Sequence, residues 1–525
     1  MQLNVLTAFF MREKKALAIV LLISFLFIFA IPFEGEFGLN DDPEYTRAVK
    51  DFAFEGKYYA ENYSSILLLQ IFYGTIFVNL FGFSNTILRI SVMLLSLLAP
   101  LLLFSISRVL GFTQKHSILF ALVLLVNPFF VVLGHSFMTD VPFLVLILAA
   151  ILPLVYWVKT NDLKAFTIGC IILFFAFFLK QWAVLFFAGL ILFVFLSKTG
   201  KKEKIIIAFI AVLFAIALIW SLPHYALDDK GTYFKPVAGK YIFPLIFGFP
   251  LYLAWFLFPL FISLIFYKKN FKEFVSKKIK LIFSVVFAFG GIIAGLIFFN
   301  RFFPYFANII NSFGLSPKML VGDPTGILPE SFWILMTFFA TFSLIILINS
   351  FEIKIFKKKE NRFLLCFIIP YFLQIMAISF FLDRYLFLIL PIVFLLVFQA
   401  LKEKKFFPTG VIITIILFGA FSFVFTSEQI SWNQVRWDLI NELKEQGVPE
   451  DKIDGGMEYC RSTFGQDETR LVRSDTNIDF GICGKGCVEE GYAVSFKPID
   501  GCSIVKSKPY YVLGIKFGEI FVLKK

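Results

Sequence analysis

Asn40-Asp41-Asp42-Pro43-Glu44-Tyr45 gathers three carboxylates directly after an apolar run from Ala16 to Phe33. A carboxylate can accept the proton of a hydroxyl nucleophile, so Asp41 and Asp42 are candidate general bases. Further polar groups recur in short turns between apolar stretches. His135 and Asp140 lie in His135-Ser136-Phe137-Met138-Thr139-Asp140-Val141-Pro142, and Lys180 lies in Phe178-Leu179-Lys180-Gln181-Trp182. Arg301 opens the segment 300–331, and Asp383-Arg384-Tyr385 forms one more turn. Arg and Lys can hold a phosphate, Arg through two parallel hydrogen bonds. Each residue also has a plain structural reading. Lys180 and Arg301 can snorkel to headgroups, Asp140 can cap the helix that follows, and Asp383 and Arg384 can pair with each other. Ionisable groups near membrane depth are costly, and their recurrence at one depth favours a shared cavity. Transfer of a group from a lipid-borne phosphate to a hydroxyl would use both the acids and the cations.

The elements that must position these residues are membrane helices. The chain has 525 residues, of which 59% are hydrophobic and only 16% charged. Soluble domains carry about 25% charged residues, so the composition is that of an integral membrane protein. The net charge of +12 is not a nucleic-acid signal. Lysines crowd into short loops, Lys198–Lys204, Lys268–Lys280, Lys354–Arg362 and Lys402–Lys405, between apolar spans. That is the pattern of cytoplasmic loops, with some attraction to anionic inner-leaflet lipid. The 75 phenylalanines read as packing and lipid-facing surface.

The expected fold is an α-helical polytopic membrane protein of about 13 spans: 15–33, 89–108, 117–133, 141–158, 165–179, 183–197, 205–222, 243–267, 281–299, 332–350, 363–381, 386–400 and 408–425. The run ending Ile31-Pro32-Phe33-Glu34 lacks a small-residue cleavage site, so the first span is read as retained. With the N-terminus cytoplasmic, every Lys-rich loop falls inside, and the Asp41 loop, 223–242, 300–331 and the tail fall outside. Residues 34–88 then form an outer loop with one or two amphipathic helices in the interface. A crossing there would move every later Lys-rich loop to the outer face.

Residues 1–425 form the membrane domain, and 426–525 a small mixed α/β extracytoplasmic domain. Trp432 to Gln446 has helical spacing and stops at Gly447-Val448-Pro449, while Tyr510–Lys516 and Gly518–Leu523 read as strands. Cys170 and Cys366 lie in spans as packing residues. Cys460, Cys483, Cys487 and Cys502 all fall in the tail. An oxidising compartment favours two disulfides with three possible connectivities, with a zinc site using Cys483 and Cys487 as the alternative.

Asp41-Asp42-Pro43-Glu44-Tyr45 resembles the Asp-Glu-Pro-Arg-Tyr motif in the first outer loop of the GT-C glycosyltransferases, in particular the lipid A aminoarabinose transferases and protein O-mannosyltransferases. Gly82 followed by Arg89 resembles the pattern before that family's second span. Phe137 to Pro142 resembles its threonine-aspartate-x-proline start of span four. Leu179-Lys180 stands where the family has threonine-lysine-glycine, and Arg384-Tyr385-Leu386 through Pro391 resembles its arginine-tyrosine-leucine…proline run. The likeness covers the membrane part and not the tail. Asp42 replaces glutamate, Glu44 stands where the aminoarabinose transferases have arginine, Asn62 lies near their lysine, and Gln181 replaces a glycine. These departures argue against that particular substrate pair.

The resemblance implies transfer of a sugar from a polyprenyl- or dolichyl-phosphate donor to a lipid, glycan or protein acceptor at the outer face, with inversion. Asp41 would be the base, and Asp42 would position acceptor or donor. Lys180, Arg384, Arg89 and Arg301 would neutralise the leaving phosphate, with Tyr45, His135, Asp140 and Glu44 lining the site. No cofactor is obligatory on this reading, although an Asp pair can bind a divalent cation. A transporter or lipid flippase is the alternative. It predicts spans broken near the midplane and often a repeated half, whereas these spans are mostly uniformly apolar with no evident repeat. A non-catalytic membrane scaffold would not need acids and cations at matching depth.

Overall fold

A computed structural model of the chain describes residues 3–58, 66–197, 199–221, 239–258, 278–299, 308–322, 324, 326–350, 357–377, 382–401, 408–463 and 491–524. The protein is mostly helical, with a small sheet near its C-terminus. A helix lies at the position of each span read from the sequence, but the helices differ in reach. Among the described residues six are long and apolar enough to cross a bilayer: Asn85–Val109, Asp140–Thr160, Lys201–Ser221, Leu281–Phe298, Lys359–Ala377 and Thr409–Glu445. A bent pair, Gln114–Leu125 and Pro128–Gly134, makes a seventh if taken as one span. Shorter apolar helices such as Leu163–Phe177 and Ala183–Leu196 complete the bundle. The protein is therefore an integral membrane protein.

The stretch after the first helix contains two helices, Asp42–Glu55 and Leu68–Phe81. At a rise of 1.5 Å per residue each is about 21 Å long, short of the roughly 30 Å apolar core of a bilayer. They pack closely. A Cβ added at Gly74 would lie 2.8 Å from both Val49 and Phe137 side-chain carbons, so only glycine admits this approach.

The bent pair positions the turn that carries His135 and Asp140. Asn127 caps the second segment, its Oδ1 accepting from the N–H groups of Phe129 at 3.0 Å and Phe130 at 3.4 Å, with Pro128 at the start. The axis turns by 59° there. Breaking a helix inside a membrane frees carbonyls that must find donors. Ser422 of helix Pro408–Glu445 supplies one, donating to the Val126 carbonyl at 2.8 Å. The short segment then leads through His135 to Asp140 at the start of helix Asp140–Thr160.

Helices Ala183–Leu196 and Lys359–Ala377 also meet at a glycine. A Cβ on Gly189 would sit 2.4 Å from the Cys366 carbonyl oxygen. Small residues permit such backbone contact between membrane helices. Phe186 stacks on Tyr371 at 4.9 Å beside this contact. The pair matters because Lys180 precedes one helix and Arg384 follows the other.

Helix Pro408–Glu445 is continuous for 38 residues, passing without interruption from apolar sequence into the tail. It ends in a glycine cap of the expected kind: Gly447 has φ +81°, the Val448 N–H donates to Leu443 at 3.1 Å and the Gly447 N–H to Lys444 at 2.9 Å. Strands β1 (Ile453–Asp454), β2 (Tyr492–Ser495), β3 (Ser503–Val512) and β4 (Ile515–Lys524) form a sheet of order β1-β2-β4-β3. The turn between β3 and β4 falls at Leu513-Gly514, inside the stretch read as one strand. Both residues have positive φ, +51° and +79°, the requirement of a tight hairpin turn. Trp432, Leu439, Leu443, Val494, Ile520 and Val522 pack the sheet against the helix. Cys460 and Cys502 each take part in a disulfide; Cys483, Cys487, Asn62 and Arg301 lie outside the described residues.

Candidate functional site

The Asp41 loop is held in place before any chemistry is considered. Arg89, buried in helix Asn85–Ser96, donates from Nη2 to the Phe37 carbonyl at 2.7 Å and from Nη1 to the carbonyls of Phe33 and Gly35. Its guanidinium also lies 5.0 Å from the Phe37 ring. Glu36 caps the same helix, accepting from the Asn85 N–H at 2.9 Å and from Ser84 Oγ. Asn40 takes a left-handed conformation, φ +58°, and its Oδ1 accepts from Ser316 Oγ at 2.7 Å. Arg89 is thus committed to main-chain carbonyls and positions the loop.

The turn at Asn40 separates the two aspartates. Asp42 points inward and is 2% exposed, with Oδ2 accepting from the Leu39 N–H at 3.2 Å. Burial raises its pKa to about 7, against the opposing pull of main-chain N–H groups and Arg89. Asp41 points outward, its side chain 25% exposed. One carboxylate oxygen accepts from Arg384 Nη2 at 3.1 Å, the other from Arg461 Nη1 at 2.9 Å. Burial works to raise the Asp41 pKa, but the two guanidinium groups outweigh it and hold the carboxyl below its ordinary value. The pKa of Arg384 is raised in turn: burial disfavours its charge, and Asp41 and Asp140 more than offset that.

Arg461 is the residue that sequence reasoning missed. It sits on helix Met457–Thr463 in the tail and also reaches Glu44 Oε1 at 3.1 Å. That helix is docked on Asp42–Glu55 through Arg47 Nη2, which donates to the Ser462 carbonyl at 2.9 Å. Behind it, buried Arg436 donates to the Gly455 carbonyl at 2.7 Å and to Glu458 at 3.0 Å.

Arg384 and its neighbour Asp383 do not pair. Asp383 is fully buried and accepts from the N–H groups of Ile309 at 3.0 Å and Ile310 at 2.9 Å and from Tyr252 Oη at 3.0 Å. It therefore anchors the segment bearing Ser316, and Arg384 is left to face Asp41. On the other flank, Lys180 Nζ lies 3.1 Å from Asp140 Oδ1 and 5.3 Å from the Trp182 ring. Asp140 is the first residue of its helix, whose cap position is Thr139. Trp182 packs edge-to-face at 4.7 Å on Tyr385, whose carbonyl accepts from Tyr371 Oη at 2.9 Å, joining the Lys180 and Arg384 turns. Tyr45 is buried among them, its pKa raised by that burial and by the charges of Asp41, Glu44 and Asp140.

Asp41, Glu44, Tyr45, Asp140, Lys180 and Arg384 thus share one mouth with Arg461. His135 lies deeper, its ring nitrogens 2.7 Å from the Val131 carbonyl and 2.9 Å from the Ile28 carbonyl, where it ties the first helix to the bent pair. Among the described residues no three His, Cys, Asp or Glu side chains converge on one point. The mouth offers a carboxylate within reach of solvent and three cations around it, which suits proton acceptance beside an anionic group.

Residues 69–225 match the family model described as dolichyl-phosphate-mannose-protein mannosyltransferase. That region carries Arg89, His135, Asp140 and Lys180, and excludes the Asp41 loop and Arg384. No curated protein matches the sequence. Among solved structures, ArnT from Cupriavidus metallidurans bound to undecaprenyl phosphate is 11% identical, covers 98% of both chains and has a TM-score of 0.42. AglB from Archaeoglobus fulgidus, in complex with an inhibitory peptide and a dolichol-phosphate, is 13% identical over 90% of this chain and 61% of its own, with a TM-score of 0.44. The S. cerevisiae protein O-mannosyltransferase Pmt1-Pmt2 complex bound to the sugar donor is 16% identical over 43% of this chain, with a TM-score of 0.35, and the match spans only 36% of that protein. Over residues 69–225 the chain is similar to the dolichyl-phosphate-mannose-protein mannosyltransferases.

Proposed function

We propose that the protein is a membrane glycosyltransferase that moves a sugar from a polyprenyl- or dolichyl-phosphate to a hydroxyl acceptor at the outer face. One observation carries the reading: a partly exposed carboxylate, Asp41, held between guanidinium groups at the membrane mouth. The acceptor oxygen attacks the anomeric carbon while its proton passes to Asp41. The bond from that carbon to the phosphate oxygen breaks, and its electron pair leaves with the lipid phosphate. Arg384 and Lys180 stabilise the charge growing on that phosphate. Attack opposite the leaving group inverts the anomeric centre. Asp42, buried with its pKa raised to about 7, shapes the loop, as Arg89 does. The family match supports the donor class, and the apolar helices support a lipid-borne donor entering from the side.

The test is incubation of purified protein in lipid with a radiolabelled polyprenyl-phosphate sugar and membrane acceptors. Label passing from the carrier to acceptor is the expected result. Label that crosses the bilayer still on its carrier, or remains unmoved, contradicts the reading.

A further inference from the structure

We infer that Arg461, supplied by the tail, is a donor-phosphate-binding residue of the membrane site and exchanges Asp41 for the lipid phosphate when donor binds. This rests on the glycosyl-transfer reading and extends it to the tail, where the sequence resemblance gave no role. Arg461 reaches out of its own domain to contact Asp41 at 2.9 Å and Glu44 at 3.1 Å. Helix Asp42–Glu55 presents an acid, Glu44, on this face, and the cation that joins Arg384 beside Asp41 comes from the tail. Asp41, Glu44 and Asp140 balance Lys180, Arg384 and Arg461 in charge. Among the described residues the three cations of the mouth are already engaged, so a phosphate that recruits them takes them from carboxylates.

Asp41 is the carboxylate from which they can be taken. It shares its single charge between two guanidinium groups, and its side chain is 25% exposed, with Arg384 at 16% and Arg461 at 19%. Phosphate oxygens accept the paired hydrogen bonds of a guanidinium at least as well as a carboxylate does. The consequence is mechanistic. While both arginines sit on Asp41 it is a weak base; with them on the phosphate it regains proton affinity. The acceptor O–H is then broken, with its proton going to Asp41, only when a donor is seated to receive the attack.

Arg461 is not the sole tether of its helix. The Arg47–Ser462 contact and the buried Arg436–Glu458 pair hold it independently. This allows a clean test with the full chain in lipid nanodiscs. Binding of undecaprenyl phosphate would be titrated for wild type, Arg461→Ala, Arg461→Lys and Arg461→Ala combined with Glu44→Arg. Uncharged undecaprenol reports the lipid-tail contribution, and inorganic phosphate competition reports the headgroup. Arg461→Ala should weaken undecaprenyl phosphate binding by about tenfold or more, the worth of a charge-assisted hydrogen bond pair. Arg461→Lys should recover part of it, and Glu44→Arg in the Arg461→Ala background most of it, with undecaprenol binding unchanged throughout. Equal binding by wild type and Arg461→Ala overturns the inference while leaving the transferase reading in place. A loss that Glu44→Arg does not restore, accompanied by altered undecaprenol binding, overturns it in favour of a purely structural Arg461. Failure of wild type to bind undecaprenyl phosphate at all overturns the inference and the reading beneath it.

Discussion

The mouth and the seam beneath the tail both join cations to carboxylates, yet they are built for opposite ends. In the seam, Lys318 lies 2.5 Å from Glu428, and the side chains are 1% and 0% exposed. Tyr510 of the sheet donates to the same Glu428 oxygen at 3.1 Å, so outer segment, long helix and sheet are locked at one closed point. At the mouth, Asp41, Arg384 and Arg461 keep a sixth to a quarter of their side-chain surface open, and each partner is shared. A closed pair cannot change partners without leaving a buried charge alone. An open, shared one can. The difference marks which ionic cluster holds the fold and which can meet a substrate.

That contrast is breakable by mutation. Glu428→Ala strands Lys318 in a dry seam, and removing one member of a buried pair costs about 3–5 kcal/mol. A large fall in thermal stability in detergent is expected, and an unchanged midpoint would erase the distinction. The pH dependence of Asp42 gives a second test. Its pKa is raised from 3.8 to about 7 in the folded protein. The folded state therefore holds a proton that the unfolded state releases, and stability is lost as pH rises between those values. Asp42→Asn, permanently neutral, should match wild type near pH 4 and become relatively more stable up to about pH 7, where the gap levels off. Parallel unfolding curves would show that Asp42 is ionised at no cost.

Gly189→Ala forces a methyl against the Cys366 carbonyl and should cost about 1–3 kcal/mol, as overpacking does. It would also spread the helices that carry Lys180 and Arg384, so activity should fall more than stability does. The smallest effect belongs to the mouth: Arg461→Ala should change unfolding by only about 0–1 kcal/mol, the range for partly exposed ion pairs. A loss as large as that of Glu428→Ala would mean that the two clusters are alike.

Much of the mouth was legible because local chemistry marks it. The acids at 41 and 42 after an apolar run, Lys180 in a short turn, and Arg384 before a new helix all stand out against hydrophobic neighbours. What was not legible depends on direction and distance. Arg461 follows Tyr459-Cys460 in a tail without a recognised motif, and its partner Asp41 is 420 residues away. Asp383 and Arg384 are adjacent, so sequence alone allows them to pair; only the buried N–H groups of 309 and 310 draw Asp383 away. Arg89 looks like any juxtamembrane cation until the carbonyls at 33, 35 and 37 converge on it. Thr426-Ser427-Glu428-Gln429 breaks the hydropathy pattern without breaking the helix, since these side chains are buried where the tail and the outer segment close over the helix.

The central claim is that Asp41 takes the acceptor proton, and Asp41→Asn tests it most directly. The variant keeps the size and hydrogen-bonding shape of the side chain while removing the base. Transfer of sugar from a labelled polyprenyl phosphate should fall by about 10²–10⁴-fold, the usual worth of general base catalysis, with the unfolding midpoint close to wild type. Transfer at the wild-type rate by a folded Asp41→Asn protein would contradict the account.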